Sequence, residues 1–305
     1  MKRRPYSAYA VLVELPRRIS SGEPIDLEPI EREFFDRLKV GNRTYKTTSK
    51  FRLDDVDRVF SSLLGAAEGR RLNILDVAAS SGVSSLRWLD SLRTDGFVPS
   101  MTVSDITAIA FLVTATPWFR VLVDRDNRPL EFEIFSRTIR GHVKKVDVVS
   151  GGFLSILAAR ALYRSIGLMT PTMIAGNPDR LARPAVTSSR VMKVLLVSNE
   201  VRRCPGISVT EDDITGGRSG EMTGTFDVIR AANILQTVYF NETRIRSALA
   251  TLKKRLRGDG AWLIVCRTNN NGVNHASIFR IENGWFVVRA RVGAGSEIES
   301  LVLSA

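Results

Sequence analysis

The chain is poor in the residues that build metal centres and covalent staples, with two cysteines and two histidines among 305 residues. Cys204 and Cys266 lack any metal-type or disulfide-framework spacing, which argues against a cysteine-stapled scaffold and fits a reducing cytoplasm. His142 and His275 have no ligand-spaced neighbours, so no metal site is expected. Long uncharged apolar runs are also missing. The most apolar stretch, Val148 to Met169, contains Arg160 and Arg164 and does not read as a membrane span. At the start, MKRRPYSAYAVLVELPRR has too short an apolar segment before Glu14 to read as a secretory signal. No Gly-x-x-x-x-Gly-Lys-Ser/Thr phosphate loop occurs, and no Gly-x-Ser-x-Gly nucleophile elbow. Internal repeats and low-complexity tracts are absent.

What is present is an ordinary packed composition, 44% hydrophobic and 25% charged, long enough for one elaborated α/β domain or two smaller ones. The net charge is +12, which attracts anionic partners. Its basic residues come in pairs and triplets, such as Lys2-Arg3-Arg4 and Lys253-Lys254-Arg255, rather than in one block. That pattern favours an arginine-rich surface over a nucleic-acid-binding arm.

Residues 1–70 read as an N-terminal helical accessory region, with helical spacing over Glu28–Leu38 and Leu53–Leu64. From residue 71 to 305 strands and helices alternate, which predicts a mostly parallel, helix-flanked sheet. The first strand is expected at Leu72–Ala78, its helix at Ser84–Leu92, and a second strand at Ser100–Ser104. An insertion at 108–190 then interrupts. It contains a hairpin about Asp124–Pro129, an arginine-bearing helix from Phe153 to Ile166, and a loop from Thr170 to Pro184. Alternation resumes with strands at Val194–Val197, Ile207–Thr210 and Phe226–Ile229, a helix at Asn241–Leu256, and a buried strand at Ala261–Cys266. Short strands are expected at Ala276–Ile281, Trp285–Ala290 and Ile298–Leu303.

The stretch LNILDVAASSGVSS, Leu72 to Ser85, carries most of the functional information. An apolar strand with Asp76 embedded gives way to Ala78, Ala79, Ser80, Ser81 and Gly82, and then to a helix. Small residues let the backbone turn sharply and approach a ligand, and the helix start presents free N–H groups. Such a strand, turn and helix make a nucleotide or cofactor cradle. The dinucleotide fingerprint Gly-x-Gly-x-x-Gly is absent from it.

Four segments in order resemble the motifs of class I S-adenosylmethionine-dependent methyltransferases: ILDVAASSG, MTVSDIT, SVTEDDIT and FDVIRAANIL. The resemblance runs from Leu72 to the C-terminus outside the insertion and implies a Rossmann-like, mostly parallel seven-stranded sheet. It also implies S-adenosyl-L-methionine as cofactor. Its methionine end would lie against Asp76, Ala78, Ser80 and Gly82. Asp105, with Ile106 beside it, would take the ribose hydroxyls. Asp213 with Ile214 would take the adenine, Asp212 being the alternative, and Asn233 would contact the methionine end or the substrate. The chain has alanine and serine where the family carries more glycine. The first and fourth segments also look like those of chemotaxis-receptor methyltransferases. That likeness does not extend to the glutamates those enzymes carry after the glycine, so their substrate is not transferred.

For the acceptor, the Asn/Asp/Ser-Pro-Pro-aromatic signature of nucleobase amino methyltransferases is replaced by Ala231-Ala232-Asn233-Ile234. This favours oxygen of a small-molecule or saccharide-type acceptor. Protein or RNA methylation, and cofactor binding without catalysis, are the alternatives. Tyr239 and His275 are the candidate catalytic residues, the latter as a base reaching from a polar loop. The insertion is expected either to cap the acceptor or to form an interface, which leaves a homodimer open.

Overall fold

The computed structural model of the chain describes residues 5–40, 45–46, 48–140, 152–166, 191–216 and 222–305. It divides into two compact units, the first made of residues 1–47 and 109–199 and the second of 48–108 and 200–305. The N-terminal region thus divides at residue 47 rather than near 70, and the insertion runs to 199 rather than 190.

Near the N-terminus a π-helical turn, Ala10–Glu14, leads into α1 (Leu15–Ser20), and α2 follows at Glu28–Arg37. A proline in the first turn of α2, with Glu28 and Glu31, suits a helix start. Unit two opens with α3 (Asp54–Leu64), which has three aspartates in its first turn and buries Val56, Phe60 and Leu64 at four-residue spacing. β1 (Arg71–Val77), α4 (Val83–Thr94) and β2 (Val98–Asp105) form the expected parallel βαβ unit.

The chain then returns to unit one. Its strands are β3 (Ile109–Thr116), β4 (Phe119–Asp124), β5 (Pro129–Ile134) and β6 (Arg137–Arg140), followed by α5 (Gly152–Ile166) and β7 (Val191–Leu195). They pair as an antiparallel sheet in the order β6-β5-β4-β3-β7. The hairpin about Asp124–Pro129 is present, closed by Asp124 Oδ1, which accepts from the backbone N–H groups of Asp126 and Arg128 at 3.0 and 2.8 Å. The strand expected at Val194–Val197 belongs to this sheet, because β7 pairs with β3 and not with the parallel strands. The expected loop at 170–184, and His142, lie outside the described residues.

Unit two resumes with α6 (Asn199–Arg203), β8 (Ile207–Glu211), β9 (Val228–Ala232), α7 (Glu242–Arg255) and β10 (Trp262–Thr268). It closes with the hairpin β11 (Asn274–Glu282) and β12 (Trp285–Val292), then α8 (Glu299–Leu303). Asn241 caps α7, its Oδ1 accepting from the Arg244 N–H at 3.0 Å, and three basic residues fill the last turn. The segment Ile298–Leu303 is helical, not a strand. Its buried residues Ile298 and Val302 are four apart, the spacing of one helical face.

The sheet of unit two has seven strands in the order β12-β11-β10-β9-β1-β2-β8. Five contiguous strands, β8, β2, β1, β9 and β10, are parallel, and β11 runs against β10 and β12. This is a mixed, mostly parallel Rossmann-like α/β sheet. Alternate residues of β1 feed separate apolar clusters, Leu72 and Ile74 on one face, Leu75 and Val77 on the other. The sheet is therefore buried on both faces, as the near-continuous apolar strands require. Chain order leaves β1 in opposite directions, toward β2 on one side and β9 on the other. That makes the β1–β9 boundary a topological switch point. No helix among the described residues is long and apolar enough to cross a membrane.

Candidate functional site

Parallel strands bring their carboxyl ends to one edge, and folds of this kind bind ligands there, at the switch point. The turn after β1 occupies this place. It is unusually contorted, since Ala78, Ser80 and Gly82 all have positive φ, +54°, +61° and +78°. The first two lack glycine's freedom, and each left-handed side-chain-bearing residue costs on the order of 1 kcal/mol. The surroundings hold the turn in place. The Ala79 N–H donates to Ser104 O at 3.0 Å, and the Gly82 N–H to Ala79 O at 3.0 Å. The Ser80 N–H donates to Asp105 Oδ2 at 3.0 Å. Gly82 is required for space as well as for φ, because a Cβ there would stand 3.0 Å from Val201 Cγ2. The side of Gly82 that a side chain would fill is therefore packed against α6.

Asp105 ends β2 directly beside this turn. Its Oδ2 accepts from Ser80, and its Oδ1 from the Thr107 N–H at 3.0 Å. These two bonds orient the carboxylate beside the turn. Ile106, next along, is 42% exposed.

Asp76 stands behind the turn, buried, and is committed within the protein. Arg230 Nε donates to its Oδ1 at 3.0 Å and Arg230 Nη2 to its Oδ2 at 2.6 Å, where Ser85 Oγ also donates at 2.5 Å. The same guanidinium reaches Asp57 of α3 through Nη1, at 2.8 and 3.0 Å from its two oxygens, and lies 4.2 Å from the Trp88 ring centre. Asp76 and Arg230 are register partners on β1 and β9. Burial pushes the Asp57 carboxyl up to about 6, against the pull of Arg230. Burial opposes the charge of Arg230, but Asp57 and Asp76 hold it above the ordinary guanidinium range. Asp76 thus braces the strand under the turn.

At the end of β8 the two adenine candidates part. Asp212 is buried and bonded by both oxygens to Arg255, each at 2.7 Å. Asp213 is half-buried, its Oδ1 accepting from the Thr215 N–H and Oγ1 at 2.9 and 2.7 Å. Ile214 is buried in the core cluster with Leu75 and Val77, which removes its side chain from the surface beside Asp213.

Asn233 follows β9 with φ +58°. Its Oδ1 accepts from the Thr268 N–H at 2.6 Å, which ties the end of β9 to the end of β10. Tyr239 lies on the same carboxyl-edge loop, 56% exposed. His275 sits inside β11, opposite Arg267, and not in a loop. Its Nδ1 accepts from the Ala294 N–H at 3.0 Å, and a Cβ on Gly293 would stand 2.6 Å from that nitrogen. With Nδ1 accepting, the neutral ring carries its proton on Nε2 and offers a donor there rather than a base. Among the described residues no group of three metal-ligating side chains forms.

The turn, Asp105, Asp213 and Asn233 therefore share the carboxyl edge, while Asp76, Asp212 and Ile214 are engaged in the interior. Sequence reading missed Arg230, Asp57, Ser85 and Val201. The signal for the first was available, since Asp76 and Arg230 are opposite charges embedded in two apolar strands.

No family model and no curated protein matches the sequence. Among solved structures the chain is similar to the methyltransferase domain of citrinin polyketide synthase, at 13% identity, covering 82% of this chain and 41% of that one, TM-score 0.35. It is also similar to a protein described as a Zn-dependent alcohol dehydrogenase from Rhodobacter sphaeroides, at 13% identity, 70% and 46% coverage, TM-score 0.29. A third is phosphoethanolamine N-methyltransferase 1 of Haemonchus contortus, crystallised with phosphoethanolamine and S-adenosylhomocysteine, at 8% identity, 84% and 31% coverage, TM-score 0.30. The chain spans less than half the length of each. At these scores the likenesses decide no function.

Proposed function

We propose that unit two is an S-adenosylmethionine-dependent methyltransferase domain acting on an oxygen of a small-molecule or saccharide-type acceptor. The observation that carries the reading is the contorted turn at the switch point, bonded directly to the carboxylate that ends β2. Strained backbone that its surroundings over-determine is a mark of a ligand site. The residues fit the cofactor in kind. Asp105 offers acceptors to the two ribose hydroxyls, Asp213 offers one to the adenine amino group, and exposed Ile106 offers apolar surface to the ring. Ala78 to Gly82 and Asn233 would flank the methionine end, with Asp76 acting on that end only through the strand it braces.

When bound, the cofactor supplies a sulfonium methyl group ready for in-line displacement. The protein's own part is to align the acceptor and exclude water. Tyr239, on the loop after β9, would orient the acceptor. His275 in its present hydrogen bonding would donate from Nε2 to an acceptor oxygen rather than remove a proton. The oxygen preference rests on Ala231-Ala232-Asn233-Ile234, where an amino methyltransferase of nucleobases would carry its proline-rich signature. Two free cysteines fit a reducing compartment such as the cytoplasm.

Calorimetry with S-adenosylmethionine and S-adenosylhomocysteine should show binding to the wild type that Asp105→Ala abolishes. Absence of heat with either compound would overturn the proposal. Binding without transfer of labelled methyl to any acceptor fraction would leave a non-catalytic cofactor-binding protein. A second reading, an RNA or protein acceptor, is favoured by charge. Unit one carries 23 lysines and arginines against 13 aspartates and glutamates, a net +10. Retention on RNA that falls steeply with salt would move the acceptor to nucleic acid.

A further inference from the structure

We propose that Trp118 and Phe135 of unit one form a stacking platform for the bases of single-stranded nucleic acid. The two rings sit on neighbouring two-residue turns. Pro117-Trp118 joins β3 to β4, and Phe135-Ser136 joins β5 to β6. Thr116 faces Phe119 across the first turn, and Ile134 faces Arg137 across the second. Phe119 pairs with Ile134, so both turns leave the sheet at the same end. The Phe135 N–H donates to Trp118 O at 2.9 Å and ties them together.

The second turn departs from what its backbone favours. Phe135 and Ser136 have φ of +46° and +61°. Two successive left-handed residues in a tight hairpin are the place for Asn-Gly. Unit two has that solution: Asn283-Gly284, with φ of +51° and +79°, joins β11 to β12. Unit one puts a bulky side chain at the same turn position, a strained choice for a residue with a Cβ. The strain does not serve the core, since Phe135 is 69% exposed and Trp118 40%. The rings stack with centres 5.0 Å apart and planes 12° apart. Behind them Trp118 lies 6.1 Å from Phe119, which is fully buried and stacks on Phe132. A ladder of four rings thus runs from the core of unit one out to solvent, and a strained turn holds the outermost. Strain kept at an exposed side chain that its surroundings fix in place is a mark of a ligand contact.

Shape and charge name the partner. One face of the Phe135 ring lies on Trp118 and most of the residue is open to solvent, which suits a flat group. Every nucleobase stacks on exposed aromatic rings, and unpaired bases are the ones free to do so. Phosphate supplies the second attraction. Unit one carries a net +10, and exposed Arg137 follows the turn directly. A neutral saccharide would use the rings and leave that charge without a role. The inference concerns binding by unit one and does not rest on the function proposed for unit two.

Fluorescence anisotropy of the full chain, with oligodeoxythymidine and an abasic strand of equal length, separates the bases from the phosphates. Wild type should bind the base-bearing strand more tightly. Phe135→Asn, which installs a residue this turn accepts, and Trp118→Ala should each weaken that strand roughly five- to hundredfold and leave the abasic strand unchanged. Trp118→Phe, which keeps a ring, should bind close to wild type. A wild type that binds neither strand, or both equally, overturns the proposal. So does a base preference that survives Phe135→Asn and Trp118→Ala. Ring-dependent binding of maltohexaose without binding of oligodeoxythymidine would make the platform a sugar site and overturn it as well. If Trp118→Ala does not fold, Phe135→Asn carries the same comparison.

Discussion

The two units solve the same problem, carboxylates buried inside a sheet protein, in opposite places. In unit two, Asp57, Asp76 and Arg230 gather under the switch-point turn. In unit one, Glu131 and Glu133 sit on β5 and reach sideways. Glu131 accepts from the Ala8 N–H at 2.6 Å and pairs with Arg140; Glu133 pairs with Arg120 at 2.8 Å. Those two arginines lie over Phe34 and Tyr9 of the N-terminal helical segment, at 5.5 and 4.1 Å. Burial pulls Arg140 down to about 10, with Arg37 adding to the effect. Strand direction accounts for the contrast. A parallel sheet collects its turns at one edge, where buried charge can brace a ligand site. An antiparallel sheet scatters its turns to both ends, and here its buried charge stitches a remote N-terminal segment onto the sheet. Net charge follows the same division, +10 in unit one against +2 from 21 basic and 19 acidic residues in unit two.

Substitutions in the two networks test whether they do these separate jobs. Arg230→Ala strands two buried carboxylates and should cost about 3–5 kcal/mol, read by urea denaturation with loss of amide protection in α3, β1 and β9. Glu131→Ala should cost about 2–3 kcal/mol, with protection lost first at Ala8 and in α2. Equal loss in both networks from either change would erase the distinction. Asp57 sets a third expectation. Its folded carboxyl, at about 6, is above the ordinary value of 3.8, so the folded state holds its proton more tightly. Its contribution to stability is therefore present in full below about pH 4 and is lost as pH rises through 6. The stability of wild type relative to Asp57→Asn should fall by on the order of 2 kcal/mol across that window, measured by denaturation at each pH.

Backbone strain offers the smallest effect. Ala78→Gly should stabilise unit two by about 0.5–1 kcal/mol, since glycine accepts φ +54° freely. In unit one Phe135 also has positive φ, but its ring stacks on Trp118 at 5.0 Å. There Phe135→Gly trades relief for a lost contact and should change melting little. A stabilised Ala78→Gly variant with weakened S-adenosylhomocysteine binding would tie the strain to the ligand.

The parallel core was legible because its strands are apolar on both faces and its turns are marked. Residues 72–78, 100–104 and 261–266 lie within or overlap strands β1, β2 and β10. Where reading failed, a local pattern had two solutions. Val194–Val197 is apolar enough for either sheet, and only pairing with β3 decides. Ile298–Leu303 is a short, largely apolar run that suits a strand or a helix turn, and only the four-residue spacing of its two interior residues decides. For the candidate site, the sequence offered types of residue and not their partners. Asp212 and Asp213 are adjacent in sequence, and only the distant Arg255 separates the committed one from the open one.

The bonds of Arg230 span 154 residues to Asp76 and 173 to Asp57. During synthesis both carboxylates leave the ribosome long before their counter-charge exists, and all the residues between 109 and 199, part of unit one, emerge in the interval. At about 5–20 residues per second that wait lasts on the order of ten seconds. β1 and β2 can pair early, but the core they belong to cannot close until β9 arrives. Such long loops make a slow, late-closing nucleus. The charge cluster beneath the turn is thus also a timing device: it cannot close until about three quarters of the 305 residues are made.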